Sequence, residues 1–242
     1  MLKSRVEIKA IARERLRQNR STAILIILVY VAITVVYSMI TWVLDLTGQM
    51  GTSFLLSIIY IPLLYVLLVN VEGEFIKLYQ GKPATVGAMF TGFKVNFWRK
   101  LGGMLWMMLW VTLWSMLFII PGIIKGFAYL MAPFILASCP EVKATDALKL
   151  SMRMTAGYKG ELFVMYLSFI GWSILSVLTL GILGIVFVSP YFFLTCAGYF
   201  VELRDHAIRN GKISPEELGM PTNDGELNPE QVQEVDRNSF NI

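Results

Sequence analysis

The sequence predicts an all-α integral membrane protein, a bundle of six transmembrane helices with amphipathic helices at its cytoplasmic face. Its composition is the first indication, because 56% of the 242 residues are hydrophobic and 16% are charged. Soluble domains are about 45–50% apolar and about 25% charged. The other indications are the length of the apolar runs and the placement of the basic residues between them.

Six apolar runs follow one another along the chain, and a membrane-spanning helix needs about 20 mostly apolar residues. We predict spans at about 22–44, 52–71, 101–120, 123–138, 162–180 and 182–201. The fourth run is the shortest and contains Lys125 and Pro133. It is therefore also compatible with a buried or re-entrant segment, which would leave five spans.

The distribution of basic residues favours six spans. With the N-terminus inside, 20 of the 21 Lys and Arg residues fall on the segments predicted to be cytoplasmic. These segments are 1–21, 72–100, 139–161 and 202–242. Basic residues near span ends stay on the cytoplasmic side, and five spans would move a basic segment outside. Both termini are therefore predicted to be cytoplasmic.

Residues 1–21 are predicted to form a basic amphipathic helix. Apolar residues recur at helical spacing from Ile8 to Leu16, and a second stripe of basic residues recurs every four positions. Such a helix suits the surface of an anionic leaflet, although an ordinary basic flank of the first span has the same pattern. The predicted residues for binding the membrane surface are Arg5, Lys9, Arg13 and Arg17.

The predicted arrangement divides into three similar units, each with an amphipathic segment and a helical hairpin. The hairpin turns are predicted at 45–51, 121–122 and near 181. Parallel repeats are known in membrane folds, but helical hairpins also converge on such features. The chain ends in an acidic segment, 202–242, which is predicted to be a largely flexible cytoplasmic tail. Its acidity suits docking on the basic N-terminal helix as well as simple solubilisation.

The sequence contains no catalytic constellation. There is one histidine, His206, and no cluster of Cys and His that would hold a metal. Glu72 and Glu74 are two residues apart, so they face different sides of a helix and are expected to be solvated charges at its end. Lys94, Arg99 and nearby aromatic residues are typical interfacial anchors. We therefore expect no enzyme activity, no cofactor, no metal and no nucleic-acid partner.

The fourth and sixth predicted spans contain the residues that best fit a ligand or charge site. Lys125 is ionisable within a span, which suggests a functional site, a snorkelling side chain or an ion pair with Asp45. Pro133 and Pro190 interrupt their helices, and broken helices line substrate sites in some transporters, although most such prolines only kink a helix. The candidate residues are Lys125, Tyr129, Pro133, Pro190, Tyr191 and Asp45.

Several motifs in the second half of the chain resemble one family. They include Ile120-Pro121-Gly122 with Lys125-Gly126-Phe127, Ala147-Leu148-Lys149-Leu150-Ser151, Gly157-Tyr158-Lys159, Leu167–Trp172 and Ser189-Pro190-Tyr191. In this order the chain resembles the DUF975 family of bacterial integral membrane proteins over roughly residues 1–205. The resemblance implies a multi-pass protein of the bacterial plasma membrane, without an established activity. A more distant resemblance is to the membrane region of some glycerophosphodiester phosphodiesterases, whose catalytic domain is not present in this chain.

Together these features lead us to expect a non-enzymatic accessory, scaffold or lipid-interacting factor of the cell envelope. Its expected partners are anionic lipids of the cytoplasmic leaflet, and also a second copy or another membrane protein. One alternative is a transporter for a small solute, peptide or lipid, with its site between spans four and six. A second alternative is a lipid-modifying membrane enzyme.

Overall fold

A computed structural model describes residues 2–220, and all the regular secondary structure in this range is helical. The α-helices are α1 (Arg5–Gln18), α2 (Arg20–Leu46), α3 (Met50–Gln80), α4 (Val86–Thr91), α5 (Phe97–Leu117), α6 (Ile119–Tyr129), α7 (Ala132–Ser138), α8 (Ala144–Thr155), α9 (Lys159–Leu178) and α10 (Ser189–Arg209). A π-helical turn, Gly184–Val188, leads into α10, and a 3₁₀ turn, Glu216–Leu218, follows it.

Six segments of the described chain are long and apolar enough to cross a membrane. They are α2, α3, α5, α6 with α7, α9, and the π-helical turn with α10. The predicted all-α fold with six candidate spans is thus confirmed. The order of one short helix and two long segments occurs three times, beginning at α1, α4 and α8. This order matches the three predicted units, whose common origin stays a hypothesis.

Two spans extend well beyond their predicted ends. α3 continues to Gln80 and α10 to Arg209, so the flexible tail predicted from residue 202 begins too early. Glu202 is buried and forms an ion pair with Lys3 at 2.6 Å. Leu203 is completely buried. A search for uncharged runs stops at a residue such as Glu202. The helix itself continues, because the charge of Glu202 is paired with Lys3.

The described part of the predicted tail also packs against the bundle. Arg153 of α8 forms an ion pair with Glu217 at 2.5 Å, and this contact lowers the pKa of the Glu217 carboxyl. Leu218 is 2% exposed. The tail therefore follows α8 up to Met220, and the remaining residues, 221–242, lie outside the described part of the chain.

The turn of the second hairpin differs from its prediction at 121–122. α5 and α6 are separated by one extended residue, Phe118. Pro121 lies in the first turn of α6, where its missing N–H costs no hydrogen bond. Gly122 faces α5 so closely that a Cβ atom there would lie 2.3 Å from Ser115 Oγ. These two residues therefore serve close helix packing rather than the turn itself.

Tertiary packing is concentrated at the end of the bundle opposite the three hairpin turns. We call this region the helical cap and define it as α1, residues 66–80 of α3, α4, α7, α8 and α10. Within α3, residues 66–79 are largely buried, whereas apolar residues such as Phe54 and Ile59 are 65% and 63% exposed. In the most apolar stretch of the sixth span 61% of the residues are buried, compared with 17% in the corresponding stretches of α2, α5 and α9. α10 is therefore central, and the outer helices present apolar surface suited to lipid.

The fourth span is broken between α6 and α7, and α8 satisfies the backbone groups at the break. Pro133 lies in the first turn of α7 and cannot donate a hydrogen bond. Ser151 Oγ accepts a hydrogen bond from Met131 N–H at 3.1 Å and donates one to Ala128 O at 2.8 Å. Thr155 donates to the same carbonyl at 3.2 Å. Unsatisfied backbone groups are costly away from water, so this contact fixes α8 against the broken span.

We expect Ser151→Ala to lower the free energy of unfolding by about 1–3 kcal/mol, because Met131 N–H would be left buried without a partner. The measurement is the thermal unfolding of the purified protein in detergent. Ser173→Ala is the matched control, since Ser173 donates only to Phe169 O of its own helix. Equal unfolding temperatures for the two variants would contradict the role given to α8.

Candidate functional site

The apolar face of α1 packs against the bundle. Ser4 and Glu7 form a capping box that begins the helix, and the hydrogen bonds with Ser4 lower the pKa of Glu7. Ile8 and Ala12 are completely buried, and α1 contacts α10, α3 and α2. A Cβ atom at Gly198 of α10 would lie 2.9 Å from Ile8 Cγ2. The basic stripe is consequently directed away from the core.

Lys9 brings this stripe to the outer surface of α9. Its ammonium group donates to Ser168 Oγ and lies 4.6 Å from the centre of the Phe169 ring. The adjacent Leu167 is 44% exposed and belongs to the apolar surface that α9 presents to lipid. The cation therefore lies beside a lipid-facing surface, in contact with a hydroxyl group and an aromatic ring.

The other residues of the predicted stripe surround Lys9 with positive charge. The Arg13 guanidinium lies 5.8 Å from the Tyr191 ring, and the Arg17 side chain, which is 83% exposed, forms an ion pair with Glu14 of the same helix at 3.6 Å. Burial lowers the pKa of Lys9, and the charges of Arg5 and Arg13 lower it further. The stripe is thus a compact cationic surface that would be stabilised by anions.

Lys125 lies in α6 against α5 and α8. Its ammonium group is 5.1 Å from the Trp114 ring centre, 5.9 Å from that of Tyr129 and 3.9 Å from Met152 Sδ. Asp45 accepts a hydrogen bond from Ser53 at 2.6 Å near the first hairpin turn. Lys125 and Asp45 therefore have different partners, and the predicted pair is not formed.

The other three predicted residues lie elsewhere in the bundle. Pro133 is buried in α7, whereas Pro190 and Tyr191 begin α10. Tyr191 packs against Phe169 of α9 with a ring-centre distance of 5.3 Å.

An aromatic side chain of α9 contacts both the fourth and the sixth span. The ring centre of Tyr166 is 5.5 Å from that of Phe127 in α6 and 5.1 Å from that of Phe192 in α10, while Phe134 of α7 stacks directly on Phe200 of α10. Of the residues predicted as one site, Lys125 and Tyr129 lie together, whereas Asp45 and Tyr191 have other partners.

A cavity lies instead between the helical cap and the start of α5. This cap cavity has a volume of about 510 Å³ and is lined by residues of α3, α4, α5 and α7 and of the segments after α4 and α7. Asn70 Nδ2 donates to Met89 O at 2.9 Å, which fastens α4 to α3. Lys100 Nζ donates to Asn70 Oδ1 at 2.7 Å and to Gly92 O at 3.0 Å. These bonds set the position of α4 over the cavity.

Two other charged residues of the cap cavity, Glu74 and Arg99, differ in whether their partners are charged. Glu74 accepts from Lys77 Nζ at 2.9 Å and from Thr85 N–H at 3.1 Å. Arg99 donates to the carbonyl oxygens of Val142 and Leu136, both at 2.6 Å. Glu74 is therefore paired with a lysine, whereas the hydrogen bonds of Arg99 go to neutral carbonyl groups.

Glu72 lies on another face of α3 and is buried in the core. Its residue exposure is 8%, and Oε2 is buried without a hydrogen-bond partner among the described residues. It interacts electrostatically with Tyr30 of α2, Tyr166 of α9 and Cys196 of α10. Glu74 is also buried, at 4% exposure, so the prediction of two solvated helix-end charges is wrong. The additional length of α3 places both within the cap.

The model of the family described as "Protein of unknown function (DUF975)" matches residues 1–125 and 116–207. The chain belongs to the DUF975 family. No curated protein and no solved structure matches it significantly. The more distant resemblance to the membrane region of glycerophosphodiester phosphodiesterases stays a prediction.

The cap cavity of this DUF975 chain was not predicted from its sequence. Asn70 falls within the apolar run at 52–71, and Lys94 and Arg99 fit the pattern of interfacial anchors, so neither feature indicates a cavity. A polar amide near the end of a span was the one available signal. Within residues 2–220, no three or more His, Cys, Asp or Glu residues are grouped so that they could hold a metal ion.

We expect Glu72→Gln to leave the thermal unfolding temperature unchanged or to raise it at neutral pH, because a buried carboxylate without a partner is unfavourable. Glu74→Gln is the matched comparison two residues away. It should lower the free energy of unfolding by about 1–3 kcal/mol, since it weakens the contacts with Lys77 and Thr85. Thermal unfolding in detergent measures both. Equal destabilisation of the two variants would show that Glu72 has a stabilising partner.

Proposed function

We propose that this DUF975 protein is a non-enzymatic, lipid-interacting factor of the bacterial plasma membrane. In this proposal the basic stripe of α1, formed by Arg5, Lys9, Arg13 and Arg17, binds anionic lipid headgroups of the cytoplasmic leaflet. The observation that carries it is the position of Lys9 on Ser168 and Phe169, beside the apolar outer surface of α9.

The packing of α1 supports a fixed binding surface. Since Ile8, Ala12 and Leu16 are buried against protein, the apolar face of α1 is not available to insert into lipid. The exposed basic side chains are then positioned to meet lipid headgroups, at a height set by the contacts of α1 with α10. Basic residues near an anionic leaflet contribute about 1 kcal/mol each to membrane attraction.

The orientation of the protein in the membrane is part of the same proposal. With both termini in the cytoplasm, the helical cap and the basic stripe face the inner leaflet, in agreement with the bias of basic residues toward that side. The transporter alternative requires the fourth and sixth spans to share a site. Lys125 of the fourth span contacts side chains of α5 and α8, and Tyr191 of the sixth span packs on Phe169 of α9, which gives that alternative less support.

The test is the selectivity of the reconstituted protein for spin-labelled phosphatidylglycerol over spin-labelled phosphatidylcholine, measured by electron paramagnetic resonance. We expect the double variant Arg13→Gln, Arg17→Gln to lose selectivity at this surface by about fivefold for each charge removed, because each charge contributes about 1 kcal/mol. Both residues are exposed in the structure, so their replacement should leave the core intact.

The control is the double variant Lys143→Gln, Lys149→Gln, which removes the same charge from exposed positions at α8. The proposal requires this control to retain most of the selectivity of the original protein. If both double variants lose the same amount, the effect comes from net charge rather than from α1. If neither loses selectivity, the stripe does not bind lipid.

A further inference from the structure

The cap cavity contains positive charge that the described residues do not neutralise. Lys77 and Glu74 form an ion pair at 2.9 Å, so their charges largely cancel. The other charged residues of the lining are Lys94, Arg99, Lys100 and Glu141. Three cations therefore stand against one carboxylate, and none of the three forms an ion pair with a described acidic residue.

Two of these cations are next to each other at the start of α5 and have neutral partners. Lys100 is 6% exposed and donates to an amide oxygen and a carbonyl oxygen. Arg99 donates to two carbonyl oxygens, while its Nε is buried without a partner among the described residues. Buried charges are normally paired with opposite charge, and buried donors normally have acceptors. Lys100 departs from the first rule and Arg99 Nε from the second, and the two residues lie side by side in the wall of one cavity.

The third cation, Lys94, is exposed in the segment between α4 and α5. No described residue accepts a hydrogen bond from its ammonium group within bonding distance. It extends the positive lining from the buried wall to the more accessible part of the cavity. An anion entering the cavity would thus meet an exposed lysine as well as Arg99 and Lys100, which are held by hydrogen bonds.

We propose that the cap cavity binds a phosphate group, through Lys94, Arg99 and Lys100. A phosphate carries up to two negative charges and several acceptor oxygens, which match the surplus of cations and the unused donors. Arg and Lys form their strongest hydrogen bonds with such charged acceptors. The cavity volume of about 510 Å³ lies within the range of about 300–1,000 Å³ that is usual for small-molecule sites.

The phosphate belongs either to a phospholipid headgroup or to a water-soluble phosphate ester. Exposed apolar side chains lie close in sequence to the lining residues, since Phe90, Val95 and Trp98 are 45%, 39% and 80% exposed. Aromatic residues beside basic ones are typical of the membrane interface. This neighbourhood would place a headgroup within reach, and the two sources are separated by the choice of probe.

This site is distinct from the surface described under the proposed function. Its lining comes from α3, α4, α5, α7 and adjoining segments and includes no residue of α1. The two proposals can therefore fail independently of each other. Loss of lipid selectivity at the α1 stripe would leave the phosphate site intact, and the reverse also holds.

The test uses the full chain in phosphatidylcholine nanodiscs with two phosphate probes and one carboxylate probe. Glycerol 3-phosphate and succinate are titrated by calorimetry, and phosphatidic acid is incorporated in the discs and its retention measured by native mass spectrometry. We expect a phosphate probe to bind and Lys94→Gln to weaken its binding about tenfold or more, the effect of losing one charge-assisted hydrogen bond. Lys149→Gln, which removes an exposed lysine far from the lining, should bind as the original protein does.

Binding of phosphatidic acid without glycerol 3-phosphate would assign the site to a lipid headgroup, and binding of glycerol 3-phosphate would assign it to soluble phosphate esters. The proposal is overturned if neither phosphate probe binds, or if succinate binds as tightly as glycerol 3-phosphate and phosphatidic acid is not retained. It is also overturned if Lys94→Gln and Lys149→Gln bind equally. The double variant Arg13→Gln, Arg17→Gln should retain phosphate binding, which separates this result from the test of the α1 stripe.

Discussion

The constraint on which this structure depends is that backbone polar groups within a membrane need partners inside the protein. Span four is broken before Pro133, and Ser151 of α8 supplies the missing hydrogen bonds to Met131 and Ala128. This requirement holds α8 against the bundle. α8 in turn packs against α7, α5 and α10, and Arg153 brings the C-terminal segment onto it. Several elements of the helical cap thus pack on α8, the helix that satisfies the backbone groups at the break in span four.

Most charged side chains lie at the cap end of the bundle, and few lie in its lipid-facing half. Some are neutralised within the chain, as in the pairs of Lys3 with Glu202 and of Lys77 with Glu74. Two groups of cations are left over, one along α1 and one in the cap cavity. Because both groups lie at the same end of the bundle, the molecule has one face suited to anions and a remainder suited to lipid chains. This polarity is the physical basis of the functional proposals.

The sequence predicted the fold class and the six spans because the length and polarity of an apolar run are local properties. It did not predict where α3 and α10 end, or where the cavity lies, because these depend on distant partners. Asn70 and Lys100 are 30 positions apart, and Lys3 and Glu202 are 199 apart. Likewise, whether Lys125 and Tyr191 lie near each other could not be judged from the sequence, because their contacts with Met152 and Phe169 are made to other helices. The family match agreed with the quoted motifs but supplied no chemistry.

The most direct test of the central claim, a cytoplasmic cap that recognises anions, is the orientation of the cap. Gln49→Cys lies in the first hairpin turn and Lys149→Cys on the cap, and both positions are exposed. The native Cys139 and Cys196 form no disulfide and are buried, each 3% exposed, so they should contribute little labelling. A membrane-impermeant maleimide applied to intact bacterial cells should label Gln49→Cys at once and Lys149→Cys only after permeabilisation. The opposite result would place the cap outside and contradict the account.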